Sequence, residues 1–466
     1  MKKPEKYHFI GIGGTGMSSL ACLLAKTGTT VSGSDRLLDG GKDTELFEKM
    51  RAFGIRLFPQ DGSGLEERPD AVVASPAVES SNPDLAGARR LKLRVMTRAE
   101  LLIGLTRGKK TIGIAGTSGK STITTMIAHI MTQAGRSPTV VVGARMKNYE
   151  TPADPGCSLL GRSPWFCMEV DESDGWISKY RCHTALLSNI EKDHKEVAEL
   201  KRLFAAFLSK TTDTIIVNAD SPPAAAAAPP GRKVISYALR AKAALRPTDV
   251  TMSAGGSLFT LRGQLFRIRQ QGAHNVSNAL AAIAVSRSAG IPLKSIADAL
   301  DTYTGLGRRM EVIGMAGGIT VIDDFAHNPS KIQAALDAAR LLGKRRIIIY
   351  QPHGYGPTLF LRRGLVEAFS RGLSIRDHLF ILDIYYAGGT ARKEITSDDL
   401  AAEIAQKLPN TAKPSSREEL VRRISEIAED GDVVIVMGAR DRSLNALAKA
   451  IYIKLKANRR GAENAE

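Results

Sequence analysis

The chain has 466 residues, 43% of them hydrophobic, enough for about three domains with ordinary buried cores. Its formal net charge of +17 would suit nucleic acid, an anionic membrane surface or strongly acidic small substrates, yet the basic residues are dispersed, and 5% aromatic content leaves few stacking platforms for single strands. With no apolar run of about 18 residues, a polar start and four cysteines lacking C-x-x-C spacing, the expectation is a cytoplasmic protein with reduced thiols, no membrane insertion and no nucleic-acid partner.

The first ordered stretch is YHFIGIGGTGMSSLACLLAKTGTTVSGSD, residues 7–35. It predicts a strand, a glycine turn, a helix and a second strand ending at Asp35, the layout of a nucleotide-binding βαβ unit. Gly11 permits the tight turn, Gly13 lets the backbone approach a diphosphate, and Gly16 lets helix and strand pack closely. Gly14, Thr15 and Met17 complete the loop and open the helix, and the Asp35 carboxylate is placed to accept from a ribose or a base. Any diphosphate fits such a cradle, so a nicotinamide dinucleotide remains open on these residues alone. The segments IRLFP, AVVASPAV and LRVMT continue the alternation of strand and helix to about residue 108, predicting a parallel sheet.

A second phosphate loop follows the strand TIGIA. Gly116-Thr117-Ser118-Gly119-Lys120-Ser121-Thr122 would cradle phosphates with backbone N–H groups, Lys120 would neutralise their charge, and the Ser121 hydroxyl would ligate Mg²⁺. Ile114 stands where the usual pattern has its first glycine. Acidic metal partners are expected past neighbouring strands, at Glu169-Val170-Asp171-Glu172-Ser173-Asp174 and Asn189-Ile190-Glu191-Lys192-Asp193-His194, with Glu169 and His194 the leading ligands. FCMEVD, TALLSNI and DTIIVNAD read as strands of a second parallel sheet. The alanine- and proline-rich stretch 221–231 reads as a surface loop, and residues 257–269 as a hairpin about Arg262-Gly263. A third unit carries the strands GITVIDDF, RRIIIYQP, HLFILDIY and DVVIVMG. The expected domains are therefore 1–108, 109–307 and 308–466. Two glycine-rich loops already disfavour a simple dehydrogenase.

These stretches, together with HNVSNALAA, GLGRRME, DDFAHNP, QPHGYGPT and LDIYYAGG, resemble the Mur ligase family over nearly the whole chain. The resemblance implies a three-domain α/β architecture: an N-terminal Rossmann-like UDP-binding domain, a central P-loop ATPase-type domain with a small hairpin region, and a C-terminal Rossmann-like domain that delivers an amino acid. It implies that the first loop holds a UDP diphosphate, with Ser75 helping to hold the UDP-sugar, and that no nicotinamide is involved. ATP and Mg²⁺, with Mn²⁺ as a substitute, would be used to convert the carboxylate of UDP-N-acetylmuramate to an acyl phosphate that an amine then attacks, in peptidoglycan synthesis. Lys120, Glu169 and His194 would be catalytic; Asn275, Arg309, Asp324 and His327 would reach ATP; His327, His353 and Arg440 would meet the amino acid. The alanine-adding branch matches best, and a branch joining a recycled tripeptide is the alternative. Asn328 replaces a second histidine of the alanine-adding enzymes, Gly354 replaces an arginine, and the segment after His194 is short, departures that bear on the amine. A monomer or a homodimer is expected.

Overall fold

The computed structural model describes residues 5–42, 44–75, 78–172, 175–193, 195–386 and 392–463. The opening alternation folds into β1 (Lys6–Ile10), α1 (Thr15–Lys26), β2 (Thr30–Ser34), α2 (Arg36–Asp39), α3 (Thr44–Ala52), β3 (Arg56–Phe58), β4 (Ala71–Ala74), α4 (Pro83–Arg90), β5 (Val95–Thr97) and α5 (Arg98–Leu105). The five strands lie in the order β3-β2-β1-β4-β5, each pair parallel. Helices can cover both faces of such a sheet, and the last four residues of both β1 and β2 are buried accordingly. Asp35 falls one residue beyond β2, where it caps α2.

The second sheet takes β6 (Lys110–Ala115), β7 (Thr139–Val141), β8 (Ser158–Leu159), β9 (Trp165–Glu169), β10 (Thr184–Leu187), β11 (Thr214–Asn218) and β12 (Lys233–Tyr237) in the order β12-β11-β10-β6-β9-β7-β8. Only the short edge strand β8 is antiparallel to its neighbour among the described pairings of this sheet. Helix α6 (Lys120–Gln133) follows β6, α7 (Val197–Ser209) precedes β11, and α8 (Pro222–Ala225) follows it. That last element corrects the loop reading of 221–231: paired prolines in the first turn set φ for a helical start without sacrificing a needed N–H, and Ala224 is buried.

A small sheet of β13 (Thr248–Ser253), β14 (Gly256–Leu261) and β15 (Gln264–Ile268) comes next, then α9 (Ala273–Ser288) and α10 (Leu293–Asp301). The hairpin turn forms at Arg262 and Gly263, whose φ values of +50° and +79° match the primed turn that suits twisted strands. The third sheet contains β16 (Glu311–Ala316), β17 (Ile319–Asp324), β18 (Arg345–Tyr350), β19 (His378–Ile381), β20 (Thr411–Ala412) and β21 (Asp432–Met437) in the order β16-β17-β21-β18-β19-β20. Its helices are α11 (Pro329–Ala339), α12 (Tyr355–Gly372), α13 (Ser397–Ala405), α14 (Arg417–Ile427) and α15 (Ser443–Glu463). β16 is antiparallel, an edge strand that the sequence pattern does not reveal because Gly314 interrupts it at a register shift.

The chain divides into two compact units, residues 1–250, 258–268 and 276–306 in one, and 251–257, 269–275 and 307–466 in the other. Within the first unit α1 is tied to the edge of the central sheet, with Ser19 Oγ donating to Val142 O at 2.6 Å and Lys26 Nζ to Ser158 O at 2.5 Å. No helix among the described residues is long and apolar enough to cross a membrane. The four cysteines are free and buried.

Candidate active site

In the first glycine loop Gly11 takes φ +78°, a left-handed conformation where a side chain would be strained. Its Cβ would also meet Ser75 Cβ at 3.3 Å, which puts Ser75, at the end of β4, against the loop. The Asp35 carboxylate is engaged by backbone: Oδ2 accepts from Gly13 N at 2.8 Å and Oδ1 from Leu37 N at 2.9 Å. The Gly13 N–H is thus engaged by Asp35, and Gly14 N donates to Gly11 O. Thr15, Gly16 and Met17 open α1, and Gly14 offers no side-chain cap there.

The phosphate loop turns between β6 and α6 on two left-handed glycines, Gly116 (φ +132°) and Gly119 (φ +84°). Asn189 braces it from the next strand end: its Oδ1 accepts from Thr117 Oγ1 at 2.7 Å and from Ser118 N at 2.9 Å. Ser188 Oγ donates to Ser118 O at 2.7 Å, and Asn278 of α9 lies so close to Gly119 that a Cβ there would come within 2.6 Å of its Oδ1. Ser121 and Thr122 occupy the first turn of α6, and Ser118 Oγ is buried with no partner among the described residues. Lys120 Nζ donates to Gly116 O at 2.5 Å and to Glu172 Oε2 at 2.9 Å. Burial alone would depress this ammonium, but Glu172, Asp171 and Glu169 outweigh it and hold the pKa above the usual lysine value.

Glu169 ends β9, and its Oε1 accepts from Gly143 N at 2.9 Å. A Cβ on Gly143 would lie 3.6 Å from Thr15 Oγ1 and 3.9 Å from Glu169 Oε1, so the metal candidate and the first glycine loop meet at one backbone position. Arg98 makes a second link. Its guanidinium fills the space beside Gly16, where a Cβ would meet Nη1 at 2.7 Å, and its Nη2 lies 3.6 Å from Asp171 Oδ2. Sequence reasoning singled out neither Arg98 nor Asn278 or Gly143, and it named Asn189 only as the first member of a run of expected metal partners. The acidic run had signalled Glu172 only as part of a loop. His194, Ser173 and Asp174 lie outside the described residues.

In the second unit, three adjacent strand ends gather the remaining candidates. Asp324 ends β17, with Oδ2 accepting from Met310 N at 2.6 Å and Oδ1 from Ala326 N at 2.7 Å. Burial raises its carboxyl above the usual range against the pull of Arg309. The Arg309 guanidinium stacks on Phe325 at 4.1 Å, while Arg308, which the motif did not single out, binds Gly438 O and Ala439 O at 2.7 and 3.1 Å. His327 and His353 stand edge to face, ring centroids 5.0 Å apart, beyond β17 and β18. His327 Nδ1 lies 2.8 Å from Phe325 O, and burial, then Lys331 and His353, push its pKa well below the ordinary value. The ring is neutral at physiological pH and suited to accept or donate one hydrogen bond. Arg440 is exposed on the loop after β21, the strand between β17 and β18. Asn275 is buried in the first turn of α9, where its Nδ2 donates to Gln271 O at 2.9 Å.

Comparison with known proteins covers almost the whole chain. Residues 6–110 match the Mur ligase family, catalytic domain; 114–286 the Mur ligase middle domain; and 308–440 the Mur ligase, glutamate ligase domain. A UDP-N-acetylmuramate--L-alanine ligase of Synechococcus sp. (strain JA-2-3B'a(2-13)) is 36% identical over 95% of this chain and 91% of that protein, and one from Geobacter sp. (strain M21) is 34% identical over 94% and 95%. Among solved structures, the UDP-N-acetylmuramate-alanine ligase of Thermotoga maritima superposes with a TM-score of 0.80 at 24% identity, covering 97% of this chain and 99% of that one. A murein peptide ligase of Psychrobacter arcticus gives a TM-score of 0.72 at 23% identity over 97% and 99%.

Proposed function

Since the chain belongs to the Mur ligase family, we propose that it is an ATP-dependent ligase that joins the carboxylate of UDP-N-acetylmuramate to L-alanine in peptidoglycan synthesis, in the cytoplasm, where ATP is supplied. The observation that carries this reading is the meeting, at Gly143, of the first glycine loop, through Thr15, with the metal candidate Glu169 at the end of β9. A sugar nucleotide on α1 and a triphosphate on α6 would then present a carboxylate to a γ-phosphoryl group. Relatives 32–36% identical over nearly the whole chain carry the alanine-adding name, which favours L-alanine over a tripeptide.

The chemistry follows from the residue types. A carboxylate is a poor electrophile, so its oxygen attacks the γ-phosphorus, ADP leaves, and the amine displaces phosphate from the acyl phosphate through a tetrahedral intermediate. Lys120 is assigned to the transferred phosphoryl charge, with its ion pair to Glu172 holding the ammonium in place until a nucleotide competes for it. Thr117, Ser118 and Gly119 shape the loop, and Asn275, Arg309, Asp324 and His327 are assigned to the nucleotide side. The oxygen donors Ser121 and Glu169 fit a hard cation that keeps waters and takes its other ligands from phosphates, although no cluster of three protein ligands forms among the described residues. Bound Mg²⁺, held with the help of His194, would supply charge neutralisation. Gly11, Gly13, Gly14, Thr15, Gly16, Met17, Asp35 and Ser75 are assigned to the UDP-sugar, with Asp35 acting on the loop backbone as well. His327, His353 and Arg440 are assigned to the incoming amine, and the working modules to residues 1–108, 109–307 and 308–466.

The test is phosphate release. It should require UDP-N-acetylmuramate and L-alanine together, and a competing tripeptide should not displace alanine. Release indifferent to the sugar nucleotide would reject the proposal.

A further inference from the structure

The parallel strands of the central sheet send their C-terminal ends to the phosphate loop and its acidic partners. Their N-terminal ends carry something different. An open surface depression of about 580 Å³ is lined by Lys179, Arg181, Lys210, Thr211, Thr212 and Arg232. Arg181 precedes β10, Thr211 and Thr212 precede β11, and Arg232 precedes β12, so the pocket lies about 15 Å from the catalytic strand ends at roughly 3.3 Å per residue. It is a separate site.

Four cations and two hydroxyl residues form this wall, without a carboxylate. None of the four cations has an ion-pair partner among the described residues, in a chain that pairs many of its other arginines and lysines. Asp213, next to Thr212, is engaged by Thr214 Oγ1 at 2.7 Å and by Lys233 at 3.8 Å. Two of the cations are held in place by backbone: Lys210 Nζ donates to Ser178 O at 2.5 Å and Arg232 Nη2 to Ser209 O at 2.9 Å. Each keeps further N–H donors. Thr211 is 2% exposed and its hydroxyl has no partner among the described residues, an orphan group beside the cavity. All four cations are exposed, so an arriving anion can reach each of them.

We propose that this pocket is an anion-binding site distinct from the catalytic loops, and that it takes a compact, multiply charged phosphate compound of the diphosphate class. Each phosphate carries about −1.5 to −2 at neutral pH, so a diphosphate balances the four cations. The lining residues are cationic and hydroxylic, which favours the phosphate part of a ligand as the recognised group.

The experiment is calorimetric titration of the full chain with inorganic diphosphate, comparing wild type, Lys120→Ala, the double variant Arg181→Ala/Arg232→Ala, and Lys179→Glu. Wild type and Lys120→Ala should share a binding event that both pocket variants weaken at least tenfold, with ligase turnover retained in the pocket variants. Diphosphate binding as in wild type by either pocket variant would overturn the proposal. So would binding to phosphatidylglycerol vesicles that depends on Arg181 and Arg232 without any diphosphate binding, which would make the ligand a lipid headgroup.

Discussion

Lys120 shows what a single residue in this chain is asked to do. Its ammonium is held by Gly116 O and Glu172, poised where phosphate oxygens would take their place. Replacement by alanine should lower turnover by roughly 10²–10³-fold or more, while UDP-N-acetylmuramate affinity, measured by calorimetry without ATP, stays within about twofold, because the first loop is built on a different helix. A collapse of that affinity would contradict the separation of the two loops. Lys120 was legible from the sequence because strand, glycine, lysine, hydroxyl and helix occur in register. Arg98 was not, since its contacts with Gly16 and Asp171 depend on tertiary placement that no local spacing records. Histidines give a pH prediction at the same scale. Burial lowers His274 to about 4 and His327 well below the ordinary value, so the unfolded chain binds protons that the folded chain refuses. Stability from these rings is complete above about pH 6.5 and is lost as pH falls from there toward 4. His274→Gln should flatten the fall of the urea midpoint between pH 6.5 and 4.5; an unchanged slope would show that the ring titrates alike in both states.

At the scale of elements, strand ends matter more than strand interiors. The β6–α6 turn needs Gly116 twice over: φ is +132°, and a Cβ would stand 2.1 Å from Ser188 Oγ. Gly116→Ala should cost about 1–3 kcal/mol of stability in strain and weaken ADP binding at least tenfold; ADP affinity equal to wild type would contradict the turn's role. The β18–β19 layer has a different lock. Arg346 and Asp377 are buried, and Arg346 Nη2 lies 2.5 Å from Asp377 Oδ2. Burial would raise this carboxyl, but Arg346 and the bonds from Ser374 outweigh it and hold it below the usual range. Its contribution is therefore present at neutral pH and lost only on strong acidification, as pH falls through the lowered value. Asp377→Ala should destabilise by about 3–5 kcal/mol, read from urea unfolding, because it strands a buried guanidinium. The long apolar strands that build these layers were legible as short apolar runs in the sequence, RRIIIYQP and HLFILDIY among them. The edge strands β8, β16 and β20 were not, being short or interrupted and specified by pairing with a neighbour already in place.

For the whole molecule, three sheets in series put one glycine-loop helix after the first strand of each of the first two and a histidine pair at the strand ends of the third. That serial plan was visible in the alternation of strands and glycine loops, and the family resemblance turned it into a reaction. What neither motif nor composition could supply is the link between loops, where Gly143 faces Thr15 and Glu169 and where Arg98 reaches Asp171. Those contacts join residues far apart in the chain, and under the proposed function they would bring the substrate carboxylate toward the γ-phosphoryl group. The decisive measurement is oxygen transfer. UDP-N-acetylmuramate labelled with ¹⁸O in its carboxylate, turned over with ATP and L-alanine, should pass one labelled oxygen into the orthophosphate released with each amide formed. Orthophosphate free of the label after complete turnover would contradict activation of the acid by ATP.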